Sequence, residues 1–168
     1  MKEKLIQVNS PLETAALGAY LAGVIEAPAI ILLSGDLGAG KTHFAQGFAR
    51  GLGISEAITS PSFSLLNRYR SAAGPELLHF DVYRLEDPYT EWEMLGFSEL
   101  IEGQDIALIE WPERIAEILP ETAYALKIHY PRELNLDLPL DSRLIELDQR
   151  LAQPSAEALA AAKAKLEE

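Results

Sequence analysis

A glycine-rich segment between an apolar run and a helical pattern constrains the fold of this chain more than any other feature. Residues 35–42 read Gly-Asp-Leu-Gly-Ala-Gly-Lys-Thr and fill every fixed position of the pattern G-x-x-x-x-G-K-[ST]. The apolar run at 30–34 predicts a buried strand before the segment, and residues 42–50 predict a helix after it. In this order, a strand, a glycine loop and a helix start direct unpaired main-chain amides at an anion. The sequence therefore predicts a phosphate-binding P-loop.

The residue types of this loop each suit a triphosphate bound with Mg²⁺. Glycines allow the backbone to approach an anion closely, so that consecutive amides turn inward. Lys41 is predicted to contact the β- and γ-phosphates, and the hydroxyl of Thr42 is predicted to ligate Mg²⁺. The residues predicted to bind the nucleotide here are Gly35, Asp36, Leu37, Gly38, Ala39, Gly40, Lys41 and Thr42. The alternative is a glycine turn before an ordinary helix, which would make the lysine and the hydroxyl coincidental.

Length and composition predict one domain and exclude several kinds of site. The chain has 168 residues and 48% hydrophobic content, which predicts a single P-loop domain over residues 1–152 and a helical tail over 153–168. The absence of cysteine excludes disulfides and thiolate metal sites, and three histidines leave little for a zinc site. No apolar stretch approaches the roughly 18 residues that cross a bilayer, and the first residues lack a signal-peptide pattern. We therefore expect a cytoplasmic protein that does not enter a membrane.

The formal net charge of −12 argues against a nucleic-acid-binding surface on this chain alone. Proteins that bind nucleic acid unaided usually present a basic face, because phosphate contacts supply most of their non-specific affinity. The acidic residues are concentrated at 86–105 and 110–121. Two interpretations stay open for them: a solvated surface, or a docking site for a basic protein partner.

The order of strand and helix patterns predicts an α/β fold. We expect a P-loop NTPase-type three-layer sandwich with a mixed, mostly parallel central sheet and a β-hairpin insertion. The predicted strands cover residues 5–8, 30–34, 106–109, 123–130 and 143–147, the last two near the sheet edge, with a hairpin of 63–69 and 77–83. The predicted helices cover residues 11–25, after a capping box at Ser10, then 42–50, 90–100, 112–118 and 155–168.

Two acidic residues are candidates for the chemistry beside the P-loop. Glu110 follows the apolar run at 106–109, where a P-loop fold presents a second acidic group to Mg²⁺ or to the attacking water. The alternative is a surface glutamate at a strand end. Asp81 lies in the segment 79–84, His-Phe-Asp-Val-Tyr-Arg. In an extended strand, alternation places Asp81 on the same polar face as His79 and Tyr83. It is either a metal-shell or water-orienting carboxylate, or part of a hydrogen-bonded structural strand.

A hydroxyl-rich turn at 59–63, Thr-Ser-Pro-Ser-Phe, follows the P-loop helix. Such a segment can contact the γ-phosphate through hydroxyls and amides and reorder on hydrolysis. An ordinary proline turn that leads into a strand explains it equally well.

Four segments in this order resemble the bacterial TsaE (YjeE) ATPases, which are required for threonylcarbamoyladenosine modification of tRNA. They are the P-loop at 35–42, the turn at 59–63, the segment at 79–84 and Glu-Trp-Pro-Glu-Arg at 110–114. The resemblance extends to about residue 148. One departure is Ser62, where the family usually has threonine, and this change keeps the hydroxyl.

The resemblance implies roles for individual residues. The catalytic residues would be Lys41, Asp81 and Glu110, the Mg²⁺ ligands Thr42 and Glu110, and the residues near the base Pro11 and Arg132. Trp111 would support the site beside Glu110, unless it serves core packing only.

The resemblance also implies ATP and Mg²⁺ as cofactors and the TsaD and TsaB proteins as partners. ATP turnover would reset their complex between catalytic cycles, with little direct tRNA binding by this chain alone. The alternatives are a small-molecule kinase, a GTPase and a nucleotide-gated binding module. A small-molecule kinase would carry an Arg-rich lid, and a GTPase would carry N-K-x-D; neither pattern is found. A nucleotide-gated binding module without turnover stays open.

Overall fold

Seven strands form one mixed sheet in the computed structural model, which describes residues 4–168. The strands are β1 (Lys4–Val8), β2 (Ala29–Gly35), β3 (Leu66–Tyr69), β4 (Leu77–Asp81), β5 (Ile106–Glu110), β6 (Tyr124–His129) and β7 (Arg143–Leu147). The helices are α1 (Pro11–Ala22), α2 (Lys41–Gly51), α3 (Pro88–Met94), α4 (Phe97–Ile101) and α5 (Ala156–Glu167), with 3₁₀ helices at Pro112–Ile118 and Pro131–Leu134. The predicted α/β fold is confirmed.

The strand order places the P-loop strand at the centre of the sheet. The order is β1-β7-β6-β2-β5-β4-β3, in which β6, β2, β5 and β4 are mutually parallel and both edges are antiparallel. The predicted hairpin is β3 and β4, and it continues the central sheet because β4 also pairs with β5. The prediction that 123–130 lies near the sheet edge was wrong. β6 is an interior strand beside β2, and β1 covers the outer side of β7.

The parallel strands bring three chain segments to one edge of the sheet. β5 lies between β2 and β4, with Leu33 and Asp81 both in register with Glu110. The carboxyl ends of parallel strands meet at the same side, which is where ligands bind in open α/β sheets. The end of β4 and the end of β5 therefore flank the loop that follows β2.

Each face of the sheet has its own apolar core. On one face, Ile31 and Leu33 pack with side chains of α1 and α2 such as Leu17 and Phe44. On the other face, Phe80 packs against Trp92 and Phe97, at ring centroid distances of 5.2 and 5.0 Å. Helices therefore cover both faces and give the three layers that the sequence predicts.

The prediction of a single helix over residues 90–100 was wrong. The chain forms two helices there, separated at Gly96. α3 ends at Met94, and α4 begins at Phe97 after Gly96 adopts φ 71°. The break lets Trp92 and Phe97 meet edge to face, with ring centroids 5.1 Å apart. α1 also ends earlier than predicted, at Ala22, where the chain turns at the exposed Gly23.

Helices α1 and α2 cross in direct backbone contact. A Cβ atom on Gly47 would lie 1.8 Å from the carbonyl oxygen of Ala15, and one on Gly18 would lie 2.3 Å from that of Phe44. Only glycine fits at these two positions. The helix that starts at the P-loop is thereby fixed against α1.

The predicted tail helix is present as α5, which packs on α1. Ser155 caps its start by accepting a hydrogen bond from the amide of Ala158 (3.1 Å). Ala162 is buried, and Lys163 forms an ion pair with Glu13 of α1 (3.5 Å). Across residues 4–168, every helix is too short or too polar to span a lipid bilayer.

Candidate active site

The P-loop connects β2 to α2 and opens at the start of α2. Gly38 and Gly40 adopt φ 76° and 114°, a left-handed region that strains any other residue. The first main-chain bond of α2 runs from the amide of Phe44 to the carbonyl of Gly40 (3.0 Å). The amides between these two residues therefore lie at the open start of the helix, where an anion binds favourably.

Lys41 lies folded back over the loop and is 6% exposed. Its Nζ donates hydrogen bonds to the carbonyl oxygens of Gly35 and Asp36 (3.0 Å for the latter). Nζ also lies 4.3 Å from the centroid of the Trp111 ring. Burial lowers the pKa of Lys41, although the nearby charge of Glu110 opposes this shift. A desolvated ammonium group interacts strongly with any phosphate that reaches it.

Two buried carboxyl groups, Asp81 and Glu110, lie side by side at the ends of β4 and β5, each 3% exposed. Asp81 Oδ1 accepts a hydrogen bond from the amide of Tyr83 (2.9 Å), and Glu110 Oε1 accepts one from His79 Nε2 (2.8 Å). Burial raises the pKa of Asp81, and the neighbouring Glu110 adds to this rise. Paired acids with little access to water favour a cation between them and the loop.

One cavity joins the P-loop to both carboxyl groups. It has a volume of about 200 Å³. Its wall consists of Leu37, Gly38, Gly40, Lys41, Thr42, His43, Ser60, Ser62, Asp81, Tyr83, Glu110 and Trp111. Five predicted P-loop residues and both predicted acids thus share this cavity with Trp111 and two serines of the turn at 59–63.

The hydroxyl-rich turn at 59–63 contributes Ser60 and Ser62 to the cavity wall. Arg84 holds this turn, since its Nε lies 3.3 Å from Ser62 Oγ and its guanidinium lies 4.3 Å from the Phe63 ring centroid. The turn at 82–85 directs Arg84 towards 59–63 rather than towards the neighbouring acids Glu86 and Asp87.

Trp111 contributes both to the site and to packing. Its backbone is left-handed, with φ 59°, directly after β5. Its half-buried ring lies between Lys41 Nζ and the ring of Tyr83, whose centroid is 4.7 Å away. The same ring also packs against the apolar core that contains Phe80. Trp111 therefore contacts both the site and the core, and its functional role stays a prediction.

Pro11 and Arg132 lie outside the cavity wall. Pro11 begins α1, whose Thr14 comes close to Gly40: a Cβ there would be 3.6 Å from Thr14 Cγ2. The guanidinium of Arg132 lies 4.9 Å from the centroid of the Tyr130 ring. Their assignment to the base stays a prediction.

Two further residues contact the loop from outside, and the sequence did not indicate them. Tyr130 donates its hydroxyl hydrogen to the carbonyl of Leu37 (3.1 Å). Arg143 Nε donates to the carbonyl of Ala39 (3.1 Å). The contact of Tyr130 depends on β6 being the parallel neighbour of the P-loop strand, which the sequence does not reveal.

Comparison with known proteins identifies the family. The family model described as "Threonylcarbamoyl adenosine biosynthesis protein TsaE" matches residues 8–136, which is more than half of the chain. The chain belongs to the TsaE family. The resemblance carried by the four sequence segments is confirmed.

Curated members of the TsaE family align over most of the chain. A Bacillus subtilis protein named "tRNA threonylcarbamoyladenosine biosynthesis protein TsaE" is 42% identical over 121 residues, covering 72% of this chain and 74% of that protein. A Treponema pallidum protein of the same name is 37% identical over 130 residues, covering 77% of this chain and 94% of that protein. The crystal structure of Bacillus subtilis YdiB superimposes with a TM-score of 0.69 at 29% identity, covering 99% and 97% of the two chains. The fold is therefore shared almost throughout, beyond the residues that the TsaE family model covers.

Proposed function

We propose that this chain is a Mg²⁺-dependent ATPase that acts with the TsaD and TsaB proteins in forming threonylcarbamoyladenosine on tRNA. The observation that carries the proposal is the single cavity shared by Lys41, Thr42, Asp81 and Glu110. Family membership supplies the pathway, since the curated relatives carry that role in their names. ATP turnover resets the partner complex between its catalytic cycles.

The triphosphate binds to the P-loop amides and to Lys41. Lys41 Nζ donates hydrogen bonds to the carbonyl oxygens of Gly35 and Asp36 beside the cavity. Phosphate oxygens are charged acceptors, and charge-assisted hydrogen bonds are roughly twice as strong as neutral ones. Lys41 therefore exchanges loop carbonyls for the β- and γ-phosphates when the nucleotide enters.

The residues at the site fit a magnesium ion that is shared with the nucleotide. The hydroxyl of Thr42 and the carboxylate of Glu110 both line the cavity and are oxygen ligands of the kind that Mg²⁺ prefers. Within residues 4–168, no group of three His, Cys, Asp or Glu side chains is placed to hold a metal ion. This suits Mg²⁺, which binds through one or two protein oxygens together with phosphates and water. When bound, it neutralises charge that develops on the phosphates.

Water attack on the γ-phosphate is helped by a residue that orients the water, and a carboxylate can do this. One oxygen of Asp81 already accepts the Tyr83 amide, which fixes the carboxyl group and leaves its second oxygen for water or for the hydration shell of the ion. Glu110 is fixed in the same way by His79. Most of the rate enhancement in phosphoryl transfer comes from such positioning and from charge neutralisation.

The acidic surface fits a protein partner better than tRNA. With a net charge of −12, this chain binds little tRNA by itself and docks on basic protein surfaces. It works in the cytoplasm, away from membranes.

Calorimetry and phosphate release test the proposal together. The wild-type chain should bind ATP with MgCl₂, and Lys41→Ala should weaken binding about tenfold or more, because charged hydrogen bonds are lost. Lys127→Ala, an exposed lysine on β6, is the control and should bind as the wild type does. Phosphate release should rise when TsaD and TsaB are added.

Each alternative outcome excludes a different part of the proposal. No heat from the wild-type chain would exclude the nucleotide site. Binding without turnover, even with both partners, would indicate a nucleotide-gated binding module, and a phosphorylated small-molecule product would indicate a kinase.

A further inference from the structure

Two side chains from the C-terminal part of the chain hold the outer surface of the P-loop. The Tyr130 hydroxyl donates to the carbonyl oxygen of Leu37, and Arg143 Nε donates to that of Ala39, both at 3.1 Å. Both partners are far away in sequence, by 93 and 104 residues. We call Tyr130 and Arg143 the brace.

The brace is itself fixed. The guanidinium of Arg143 lies 4.2 Å from the centroid of the Tyr130 ring. Its NH1 group donates to the carbonyl oxygens of Leu140 and Ser142, at 2.7 Å each. Arg143 therefore has three main-chain acceptors, and little freedom remains for its planar fork.

The two carbonyl contacts determine where two amides point. In a trans peptide, the carbonyl of one residue and the N–H of the next point in opposite directions. When the carbonyl of Leu37 points at Tyr130, the N–H of Gly38 points away from the brace, and the carbonyl of Ala39 directs the N–H of Gly40 in the same manner. Gly38 and Gly40 both line the cavity. The brace thus holds the carbonyl groups of Leu37 and Ala39 on the side of the loop opposite the amides of Gly38 and Gly40.

Glycine makes an external support necessary. Gly38 and Gly40 have little backbone preference of their own, so the peptide planes beside them rotate easily in the absence of contacts. Amides that must be ordered at the moment of binding reduce affinity, whereas amides that are ordered beforehand do not.

We propose that Tyr130 and Arg143 are positioning residues that pre-order the P-loop amides for the triphosphate. The inference rests on the proposed nucleotide site and deepens it. Arg143 lies beyond residues 8–136, so the family model does not cover it. The brace joins the C-terminal strands of the domain to its nucleotide site.

Calorimetry with ADP and MgCl₂ tests the effect of the brace on binding. Tyr130→Phe removes only the hydroxyl and keeps the ring on which Arg143 stacks, and Arg143→Lys keeps the charge but loses the fork. Each should weaken ADP binding ~2- to 10-fold, the range expected for one lost hydrogen bond. Tyr124→Phe is the control, because Tyr124 also packs against an arginine, Arg150, but lies at the other end of β6. It should bind as the wild type does.

Hydrogen–deuterium exchange of the nucleotide-free protein tests ordering directly. Exchange should accelerate in the peptide that contains residues 37–41 in Tyr130→Phe and not in Tyr124→Phe, with unchanged melting temperatures. If Arg143→Lys lowers the melting temperature, its exchange also reflects lost stability, and only Tyr130→Phe then tests whether the brace orders the loop. Exchange equal to that of the wild type would overturn the inference, whether or not binding weakens. Failure of the wild type to bind ADP would instead overturn the proposed nucleotide site, and the exchange result would still decide whether the brace orders the loop.

Discussion

The hydrogen bond between His79 and Glu110 allows a quantitative prediction. Both side chains are buried, with exposed fractions of 0% and 4%, and they are joined at 2.8 Å. His79 Nδ1 is buried without a hydrogen-bond partner within residues 4–168. A proton on Nδ1 would leave a buried donor unpaired, so the proton lies on Nε2, which donates to Glu110.

The perturbation is His79→Leu, compared with His79→Gln. Leucine fills most of the imidazole volume but cannot donate, so the main loss is one hydrogen bond to a buried carboxylate. Such bonds contribute about 1.5–3 kcal/mol to the free energy of unfolding. In a domain of this size, 1 kcal/mol corresponds to ~2–4 °C, so a loss of about 2 kcal/mol predicts a melting temperature lower by ~4–8 °C. Glutamine can place an N–H near the position of Nε2 and should lose about 1 kcal/mol or less.

Thermal and urea unfolding followed by circular dichroism provide the measurement. A double-mutant cycle with Glu110→Leu separates the bond from packing, because His79→Leu should cost less once its acceptor is gone. The reasoning is refuted if His79→Leu is as stable as the wild type, or if His79→Gln is destabilised as much as His79→Leu.

Three further predictions concern packing and pH. Gly47→Ala should lower the free energy of unfolding by about 2 kcal/mol or more, since its Cβ would lie 1.8 Å from a backbone oxygen, whereas the exposed Gly23→Ala should change it by less than about 1 kcal/mol. Asp81→Asn should raise the melting temperature at pH 7. The pKa of Asp81 is raised in the folded protein, so its contribution to stability is present below about pH 3.8 and is lost as the pH rises through the folded-state pKa. Melting curves from pH 3 to 8 should therefore show that the advantage of the asparagine variant disappears in acid. Asp148→Asn should do the opposite, because Arg150 holds the pKa of Asp148 well below its usual range, so that its contribution is present at neutral pH and lost as the pH falls; equal stability of this variant at pH 7 would contradict the assignment.

Sequence patterns predicted the parts of the site that depend on neighbours along the chain. The P-loop follows from eight consecutive residues, and Glu110 follows from an apolar run that ends in an acid. The break at Gly96 was missed because the helical pattern continues through it, while the packing of Trp92 against Phe97 decides the conformation.

Contacts that depend on strand order were beyond sequence reasoning. His79 reaches Glu110 because β4 and β5 are adjacent and parallel, and Tyr130 reaches Leu37 because β6 lies beside β2. An alternating pattern shows which residues share a face of a strand, but it does not show which strand is the neighbour. The prediction that β6 lies near the sheet edge was wrong for the same reason.

The close crossing of α1 and α2 restricts how a bound nucleotide can be sensed elsewhere. Because Gly47 rests directly on the backbone of α1, any sliding or rotation of α2 would drive the two main chains into each other. The P-loop helix therefore has a closely packed rear wall, whereas Phe63 on the turn 59–63 at the front is 86% exposed. If the proposed ATPase reports its nucleotide state to a partner, that partner would contact the front of the molecule rather than its helical back.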